Sequence, residues 1–159
     1  MPAPLLIENL LQQAVAAKSA AEPKPLLEIL GPGLEVLANW ISLEQVIGHL
    51  IQNAIEATPK DGQVVVRLTK GKGTAIVEIQ DTGHGMSVEF IRERLFKPFD
   101  STKSSGMGIG VFESREYVHE LGGQIEVVSS ESINGEASGT TFRVILPLHN
   151  QDDTVEEAA

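Results

Sequence analysis

The clearest pattern of apolar and polar positions lies between residues 42 and 58. Apolar side chains recur there every three or four residues, as on one face of an α-helix: Leu43, Val46, Ile47, Leu50 and Ala54. A separate polar stripe has the same spacing and consists of His49, Gln52, Asn53 and Glu56. Ser42 and Gln45 fit a capping box, so we expect the helix to begin at Ser42. Its polar face is typical of either an ordinary amphipathic surface helix or one that meets a ligand.

The rest of the chain alternates short β-rich runs with helical segments. Strands are predicted at 26–30, 34–38, 63–69, 74–80, 124–129 and 140–146. Further helices are predicted at 5–18, 87–95 and 111–121. Residues 70–73 predict an antiparallel hairpin between two of the strands. Together these elements predict an α+β fold, a two-layer sandwich in which helices cover one face of a mixed, mostly antiparallel sheet.

Three glycines alternate between residues 106 and 110, directly before the predicted helix at 111–121. A glycine-rich turn that opens a helix presents free N–H groups and the positive end of the helix dipole, which suits phosphate. The alternative is a flexible loop. The dinucleotide-binding fingerprint is excluded, because it needs a strand immediately before the glycines and residues 101–105 are polar and loop-like.

Composition narrows the class of protein further. The 159 residues suit one domain with a sizeable core, and the absence of cysteine excludes disulfides and thiol chemistry. A net charge of −10 argues against nucleic acid or an anionic membrane as the main partner. No apolar run approaches the roughly 18–20 residues of a membrane span, and the first residues lack the basic region of a signal peptide. We therefore expect no direct membrane contact.

Four motifs in order carry a family resemblance. They are Leu50-Ile51-Gln52-Asn53-Ala54, Asp81-Thr82-Gly83-His84-Gly85, Leu95-Phe96-Lys97-Pro98-Phe99 and Gly106-Met107-Gly108-Ile109-Gly110. From about residue 26 to 147 the chain resembles the catalytic, ATP-binding domain of sensor histidine kinases, within the Bergerat-type fold shared with gyrase, HSP90 and MutL. The sequence of residues 101–113 is most similar to the corresponding segment of kinases of the PEP-CTERM/exosortase systems.

The resemblance implies ATP and Mg²⁺ as cofactors. Asn53 would place its side-chain oxygen on Mg²⁺, a cation that prefers oxygen ligands, and Asp81 would accept a hydrogen bond from the adenine amine. Without the glycine motifs, Asn53 would be a surface amide and Asp81 a turn residue. The implied catalytic residues are Asn53 and Lys103. The implied nucleotide contacts are Asn53, Ala57, Asp81, Gly83, Gly85, Met86, Phe96, Ser101, Thr102, Lys103, Gly106, Met107, Gly108, Ile109, Gly110 and Thr141.

The resemblance also implies a mobile lid that runs from Phe96 to about Gly110. Phe96 and Phe99 would anchor its base, although packing in the core is an equally open role for both. Lys103, with Ser101 or Thr102, would meet the phosphates when the lid closes. As an isolated residue, Lys103 would be assigned to the solvated surface.

Two positions depart from the family pattern. His49 stands where the ATP-hydrolysing relatives have a water-activating glutamate, so a built-in base for hydrolysis is not expected. A hydrogen-bonded structural role for His49 is favoured over a contact with Mg²⁺ or phosphate. Glu56 stands where many of the kinases have lysine, so one phosphate contact is either missing or supplied by Lys60.

The phosphoacceptor histidine of the family is not recognisable in this chain. The four histidines are His49, His84, His119 and His149, and all fall within the nucleotide domain or at its end. We therefore expect residues 1–20 to be a helix or linker from a preceding dimerisation domain, 21–149 to be the ATP-binding domain, and 150–159 to be a disordered acidic tail.

The expected function is transfer of the γ-phosphoryl group of ATP to a histidine on the missing domain, and from there to a response regulator. The alternatives are a nucleotide-gated docking module without transfer and, more distantly, an ATPase. The fragment is expected to be a monomer, the intact protein a homodimer, and its location cytoplasmic. An inner-membrane anchor elsewhere in the intact protein is left open.

Overall fold

The computed structural model describes residues 2–86, 111–130 and 138–149. The strands are β1 (Ala3–Leu6), β2 (Leu26–Ile29), β3 (Glu35–Ala38), β4 (Val64–Gly71), β5 (Thr74–Asp81), β6 (Gln124–Ser130) and β7 (Gly139–Pro147). The helices of these ranges are α1 (Ile7–Ala16), α2 (Trp40–Ala57) and α3 (Val111–Glu120). None of these helices is long and apolar enough to cross a membrane.

Five strands form the main sheet in the order β2-β4-β5-β7-β6. β2 runs parallel to β4, and the other neighbours are antiparallel. The predicted hairpin is confirmed as β4 and β5, which pair through to Gly71 and Thr74, so that its loop has two residues rather than four. The sheet is therefore mixed and mostly antiparallel, as the sequence predicted.

One face of this sheet is covered by the helices and holds the core. Alternate side chains of β4 and β5 are fully buried, as period-2 strands against a helical layer require; they are Val64, Val66, Leu68, Ala75, Val77 and Ile79. The apolar stripe of α2 faces them with Leu43, Ile47 and Leu50, all fully buried. The backbone N–H of Asn39 donates to the Tyr117 hydroxyl at 3.0 Å, which fastens α3 beside the start of α2.

The other face of the sheet carries a row of alternating charges, one from each strand. In order across the sheet these are Glu28, Arg67, Glu78, Arg143 and Glu126, each opposite the next in the strand register. Their ion-pair distances are 2.8, 3.2, 3.1 and 3.1 Å. Because opposite charges on neighbouring strands attract, the row favours this register over a slip by one residue.

The N-terminal residues differ from the prediction. A helix was expected from residue 5, but β1 occupies Ala3–Leu6 and α1 begins at Ile7. β1 pairs antiparallel with β3 in a separate two-stranded sheet. The paired residues are 29 to 35 positions apart in the chain, so local periodicity could not reveal the pairing.

The predicted start of α2 is also wrong. Asn39 caps the helix, since its side-chain Oδ1 accepts from the backbone N–H of Ser42 at 3.0 Å. Ser42 therefore lies inside the first turn, and the Ser42–Gln45 capping box does not mark the helix start. Asparagine is as good a cap as serine, and the apolar stripe that begins at Leu43 drew the prediction three residues too late.

Residues on both sides of position 20 contribute to one hydrophobic core. Ile7, Leu10 and Leu11 of α1 are fully buried and belong to the same cluster as the core side chains of α2 and β4. That the first 20 residues derive from a preceding dimerisation domain stays a prediction. The predicted helix at 87–95, residues 131–137 and the tail at 150–159 lie outside the described residues.

The central glutamate of the charged row should contribute measurable stability. Replacing Glu78 by Gln removes the anion between Arg67 and Arg143, and should lower the free energy of unfolding by about 1 kcal/mol. Glu126→Gln is the control, because Glu126 lies at the end of the row and is 45% exposed against 19% for Glu78. Urea unfolding at low and high salt would measure both. Equal losses of unfolding free energy in Glu78→Gln and Glu126→Gln would contradict a larger contribution from the central glutamate.

Candidate functional site

Asp81 lies at the end of β5 and is only 6% exposed. Its Oδ1 atom accepts from the backbone N–H of Gly83 at 2.8 Å and of Thr140 at 3.3 Å. Among the described residues, both hydrogen bonds to this carboxylate end on Oδ1. The backbone therefore fixes the carboxylate through one oxygen, and Oδ2 remains to accept from a ligand.

Burial raises the pKa of Asp81 above its ordinary value, because removal from water disfavours the charged form. The N–H groups of Gly83 and Thr140 and the charge of His84 act in the opposite direction. Burial disfavours the charged carboxylate, whereas an ordinary turn aspartate that is exposed to water has no such cost. Such a perturbed group at a strand end is a candidate binding residue.

Gly83 lets the chain that leaves β5 lie directly against the end of α2. A side-chain carbon at Gly83 would overlap the carbonyl oxygen of Ala57, so only glycine fits without movement. Two residues further on, Gly85 has φ +79°, a conformation that other residues rarely adopt. The two glycines therefore serve different ends, one close packing and the other a left-handed turn.

Hydroxyl groups from the β6–β7 end hold the same segment from the other side. The backbone N–H of Met86 donates to Ser129 Oγ at 2.7 Å, and Ser129 Oγ lies 2.7 Å from Thr140 Oγ1. Ser138 Oγ donates to the carbonyl of Gly83. Residues 81–86 are thus held between α2 and the β6–β7 end by backbone groups rather than by apolar packing alone.

Asn53 lies on α2, four residues before Ala57 and thus on the same face of the helix. Its side-chain Nδ2 is 3.3 Å from Nε2 of His49, which is 7% exposed. Four residues of helix advance by about 6 Å, so Asn53 lies about 6 Å along α2 from Ala57, the residue that Gly83 packs against.

The remaining members of the polar stripe contact each other. Gln52 Nε2 donates to Glu56 Oε2 at 3.1 Å, and Lys18 Nζ donates to Gln52 Oε1 at 2.9 Å. The stripe therefore divides into a Gln52–Glu56 pair tied to Lys18 in the turn after α1, and a His49–Asn53 pair. Lys60, the proposed substitute for a phosphate contact, is exposed in the turn after α2.

Six of the predicted site residues lie on two elements that meet where Gly83 packs against Ala57: Asn53 and Ala57 on α2, and Asp81, Gly83, Gly85 and Met86 at or after the end of β5. The structure does not bring Thr141 to them. Thr141 pairs with Gln80 and its side chain lies on the charged face of the sheet, whereas Thr140 is opposite Asp81 and buried. The other predicted residues lie outside the described ranges: Phe96, Ser101, Thr102, Lys103, Gly106, Met107, Gly108, Ile109 and Gly110.

Sequence reasoning missed Ser129, Ser138 and Thr140 as parts of this site. Strand alternation could have found Thr140, because Phe142 and Val144 mark the buried face of β7 and Thr140 shares their parity. The same argument could have found Ser129, which shares the parity of the buried Ile125 on β6, whereas Ser138 carried no such signal, because its role depends on where Gly83 crosses it. The expected structural role of His49 is consistent with its burial and its contact with Asn53.

Comparison with protein families gives a match over most of the chain. The sequence profile of the family described as histidine kinase-, DNA gyrase B-, and HSP90-like ATPase matches residues 38–150. The C4-dicarboxylate transport sensor protein DctB of Rhizobium meliloti is 41% identical over 122 residues, which are 76% of this chain and 18% of that protein. The chain thus spans less than a fifth of this relative.

Solved structures show the same fold. The catalytic domain of histidine kinase ThkA, in a nucleotide-free form, superposes with a TM-score of 0.78 at 24% identity, covering 92% of this chain and 95% of that one. Full-length ShkA in complex with AMPPNP gives 0.77 at 24% identity, covering 92% of this chain and 31% of that one. The finer subfamily suggested by residues 101–113 stays a prediction.

The contact between Gly83 and α2 can be tested with a single methyl group. Gly83→Ala should lower the free energy of unfolding by about 1–3 kcal/mol, because the added carbon overlaps the Ala57 carbonyl and the segment must shift. Gly48→Ala is the matched control, since a carbon there meets no atom of the described residues within 4 Å beyond its own helix backbone and chain neighbours, and alanine favours helix. Urea unfolding should show this control to be more stable by about 0.5–1 kcal/mol. Similar values for the two variants would contradict the contact.

Proposed function

The chain belongs to the family of histidine kinase-, DNA gyrase B- and HSP90-like ATPases, and we propose that it binds Mg²⁺–ATP as the catalytic domain of a sensor histidine kinase. In this proposal it donates the γ-phosphoryl group to a histidine on a dimerisation domain outside the chain. The bond between the γ-phosphorus and the bridging oxygen breaks, a phosphorus–nitrogen bond forms, and ADP leaves. An aspartate of a response regulator then takes the phosphoryl group.

The buried carboxylate of Asp81 is the observation that carries this proposal. Its Oδ1 is held by Gly83 and Thr140, which leaves Oδ2 as the acceptor for a ligand. Adenine presents an exocyclic amine that donates to such an oxygen, whereas guanine presents a carbonyl at the same position and cannot donate. A desolvated acceptor without its donor is costly, so the site favours adenine over guanine.

Asn53 fits the role of a Mg²⁺ ligand by its chemistry and place. An amide oxygen is the kind of donor that Mg²⁺ accepts, and a partly buried helix face close to Asp81 suits a metal carried with nucleotide phosphates. Asn53 would hold Mg²⁺ here, and the metal would supply positive charge to neutralise the phosphates. The protein's own part is to hold Asn53 and Asp81 at a fixed separation, through α2 and Gly83.

The phosphate contacts are proposed from sequence alone. Lys103, Ser101, Thr102 and the glycines 106–110 lie outside the described residues, and their roles rest on the family resemblance. α3 follows these glycines directly, so its N-terminus is the proposed phosphate-binding end of a helix. Thr140, rather than Thr141, is the threonine we assign to the adenine end, because it shares the face of Asp81.

Phosphoryl transfer is favoured over ATP hydrolysis. His49 stands in α2 where a water-activating glutamate would be needed, and it contacts Asn53 instead. A transfer enzyme needs no such base, because the acceptor histidine is itself the nucleophile. We place the domain on the cytoplasmic side of the cell, where ATP is available, and expect a monomer when the dimerisation domain is absent.

Asp81→Asn tests the adenine contact. Nucleotide titration calorimetry should show ADP affinity lowered by about 10–100-fold and the preference for ADP over GDP lost, because asparagine offers a weaker, uncharged acceptor. Asp61→Asn is the control, since Asp61 is exposed in the turn after α2. An unchanged preference for ADP in Asp81→Asn would contradict the assignment.

The same substitution should change the pH dependence of stability. Since burial raises the folded pKa of Asp81 above its unfolded value, the native state binds more protons between the two values. The contribution of Asp81 to the free energy of unfolding therefore falls as pH rises through that window, which lies above about 4. Urea unfolding should find the wild type less stable than Asp81→Asn at neutral pH, with the difference shrinking in acid. A difference that grows in acid would show the opposite pKa shift.

Asn53→Ala tests the metal contact and the transfer reaction. The gain in ATP affinity that Mg²⁺ provides should disappear, while metal-free binding changes less than about twofold. Gln52→Ala, the adjacent residue of the stripe, should keep the gain. Joined to a dimerisation domain that carries a histidine, the wild type should form an acid-labile phosphohistidine and Asn53→Ala should not. A folded wild type that binds no adenine nucleotide would leave a docking module as the function.

A further inference from the structure

His49 is a buried polar side chain that the proposed function does not use directly. It lies one turn before Asn53 on α2, is 7% exposed, and approaches Asn53 through Nε2 at 3.3 Å from the amide Nδ2. Both residues belong to the polar stripe, and their spacing of four places them on one face of the helix. The contact is therefore a direct consequence of where the sequence places histidine relative to asparagine.

We propose that His49 is a positioning residue that turns the amide oxygen of Asn53 toward the metal. This inference rests on the proposed function. The imidazole Nε2 accepts a hydrogen bond from Nδ2 of Asn53, which requires the ring proton on Nδ1. Because the two amide atoms diverge from one carbon, holding Nδ2 against His49 directs Oδ1 away from the imidazole.

The orientation matters because the two ends of an asparagine amide differ in chemistry but hardly in shape. The oxygen has lone pairs for a cation, whereas the NH₂ group only donates. An amide that rotates freely presents its NH₂ group to the cation part of the time. Fixing the orientation that presents the oxygen then reduces the free energy of binding. Groups that orient a metal ligand without touching the metal are typically worth 10–100-fold in metal affinity.

The contact also explains how a histidine can stand at this position without acting as a base. The lone pair of Nε2 lies in the ring plane and is engaged by the Asn53 amide. It is therefore not aimed at a water molecule. A glutamate at the same position would have further acceptor lone pairs free after one such hydrogen bond, and could still activate water.

A neighbouring contact on the same helix provides the control. The Gln52 amide is also oriented by two partners, Lys18 on its oxygen and Glu56 on its nitrogen. That amide is tied to the turn after α1 rather than to the end of β5. Glu56→Gln alters this second pair and keeps both partners of the His49–Asn53 contact, so it should leave the effect of Mg²⁺ unchanged.

The test compares two substitutions at His49 in the wild-type chain. His49→Leu fills the space without an acceptor, and His49→Gln places an amide oxygen about where Nε2 lies. Titration calorimetry with ATP should show that Leu reduces the affinity gain from Mg²⁺ by about tenfold, with metal-free affinity unchanged, and that Gln restores most of it. An equal gain from Mg²⁺ in the wild type and His49→Leu would overturn the proposal.

A double-mutant cycle separates positioning from general loss of structure. In an Asn53→Ala background, His49→Leu should have no further effect on the Mg²⁺-dependent gain, because the oriented oxygen is already gone. Additive losses would show that His49 acts independently of Asn53. If the wild type itself binds no adenine nucleotide, that result contradicts the proposed function and does not bear on the contact between His49 and Asn53.

A measurement without ligand keeps the inference testable should His49→Leu fail to fold. Long-range ¹H–¹⁵N spectra of the nucleotide-free wild type should show the His49 ring protonated on Nδ1, and a weakened Nε2 hydrogen bond in Asn53→Ala. A ring protonated on Nε2 would reverse the hydrogen bond, turn the Asn53 oxygen toward His49, and overturn the proposal.

Discussion

The contact between the end of α2 and the chain leaving β5 is the constraint on which the site depends. Gly83 lies so close to the Ala57 carbonyl that no side chain fits between them. That contact places Asn53, one turn earlier on α2, and Asp81, at the end of β5, on the same side of the fold. Two polar groups from different layers are thereby held at a fixed separation by backbone packing, which cannot adjust as a flexible side chain can.

The polar groups of the site are anchored mainly by backbone N–H groups and hydroxyls. Asp81 is held by two N–H groups, and Ser129 accepts from the N–H of Met86. These contacts satisfy buried polar atoms but do not remove the cost of burying a charge, as the raised pKa of Asp81 shows. A buried carboxylate with a raised pKa is expected at a binding site rather than in a structural turn.

The two faces of the sheet have separate tasks. The helix-covered face combines the hydrophobic core with the site, and the other face carries the charged row centred on Glu78. Because side chains alternate along a strand, Thr140 lies on the same face as Asp81, whereas Thr141 lies on the charged face. The charged row helps to fix the register, and the register in turn decides which hydroxyls reach residues 81–86.

The sequence by itself determined the fold class and the hairpin of β4 and β5, and it singled out Asn53, Asp81 and Gly83 as candidate site residues, because periodicity and ordered motifs are local properties. It could not predict the pairing of β1 with β3 or the contact between Met86 and Ser129, since these join residues 29 to 43 positions apart. It misplaced the start of α2, because two polar residues near one helix end could each serve as cap. Only the tertiary structure decided which atom of each side chain faces the site, since that depends on packing between layers.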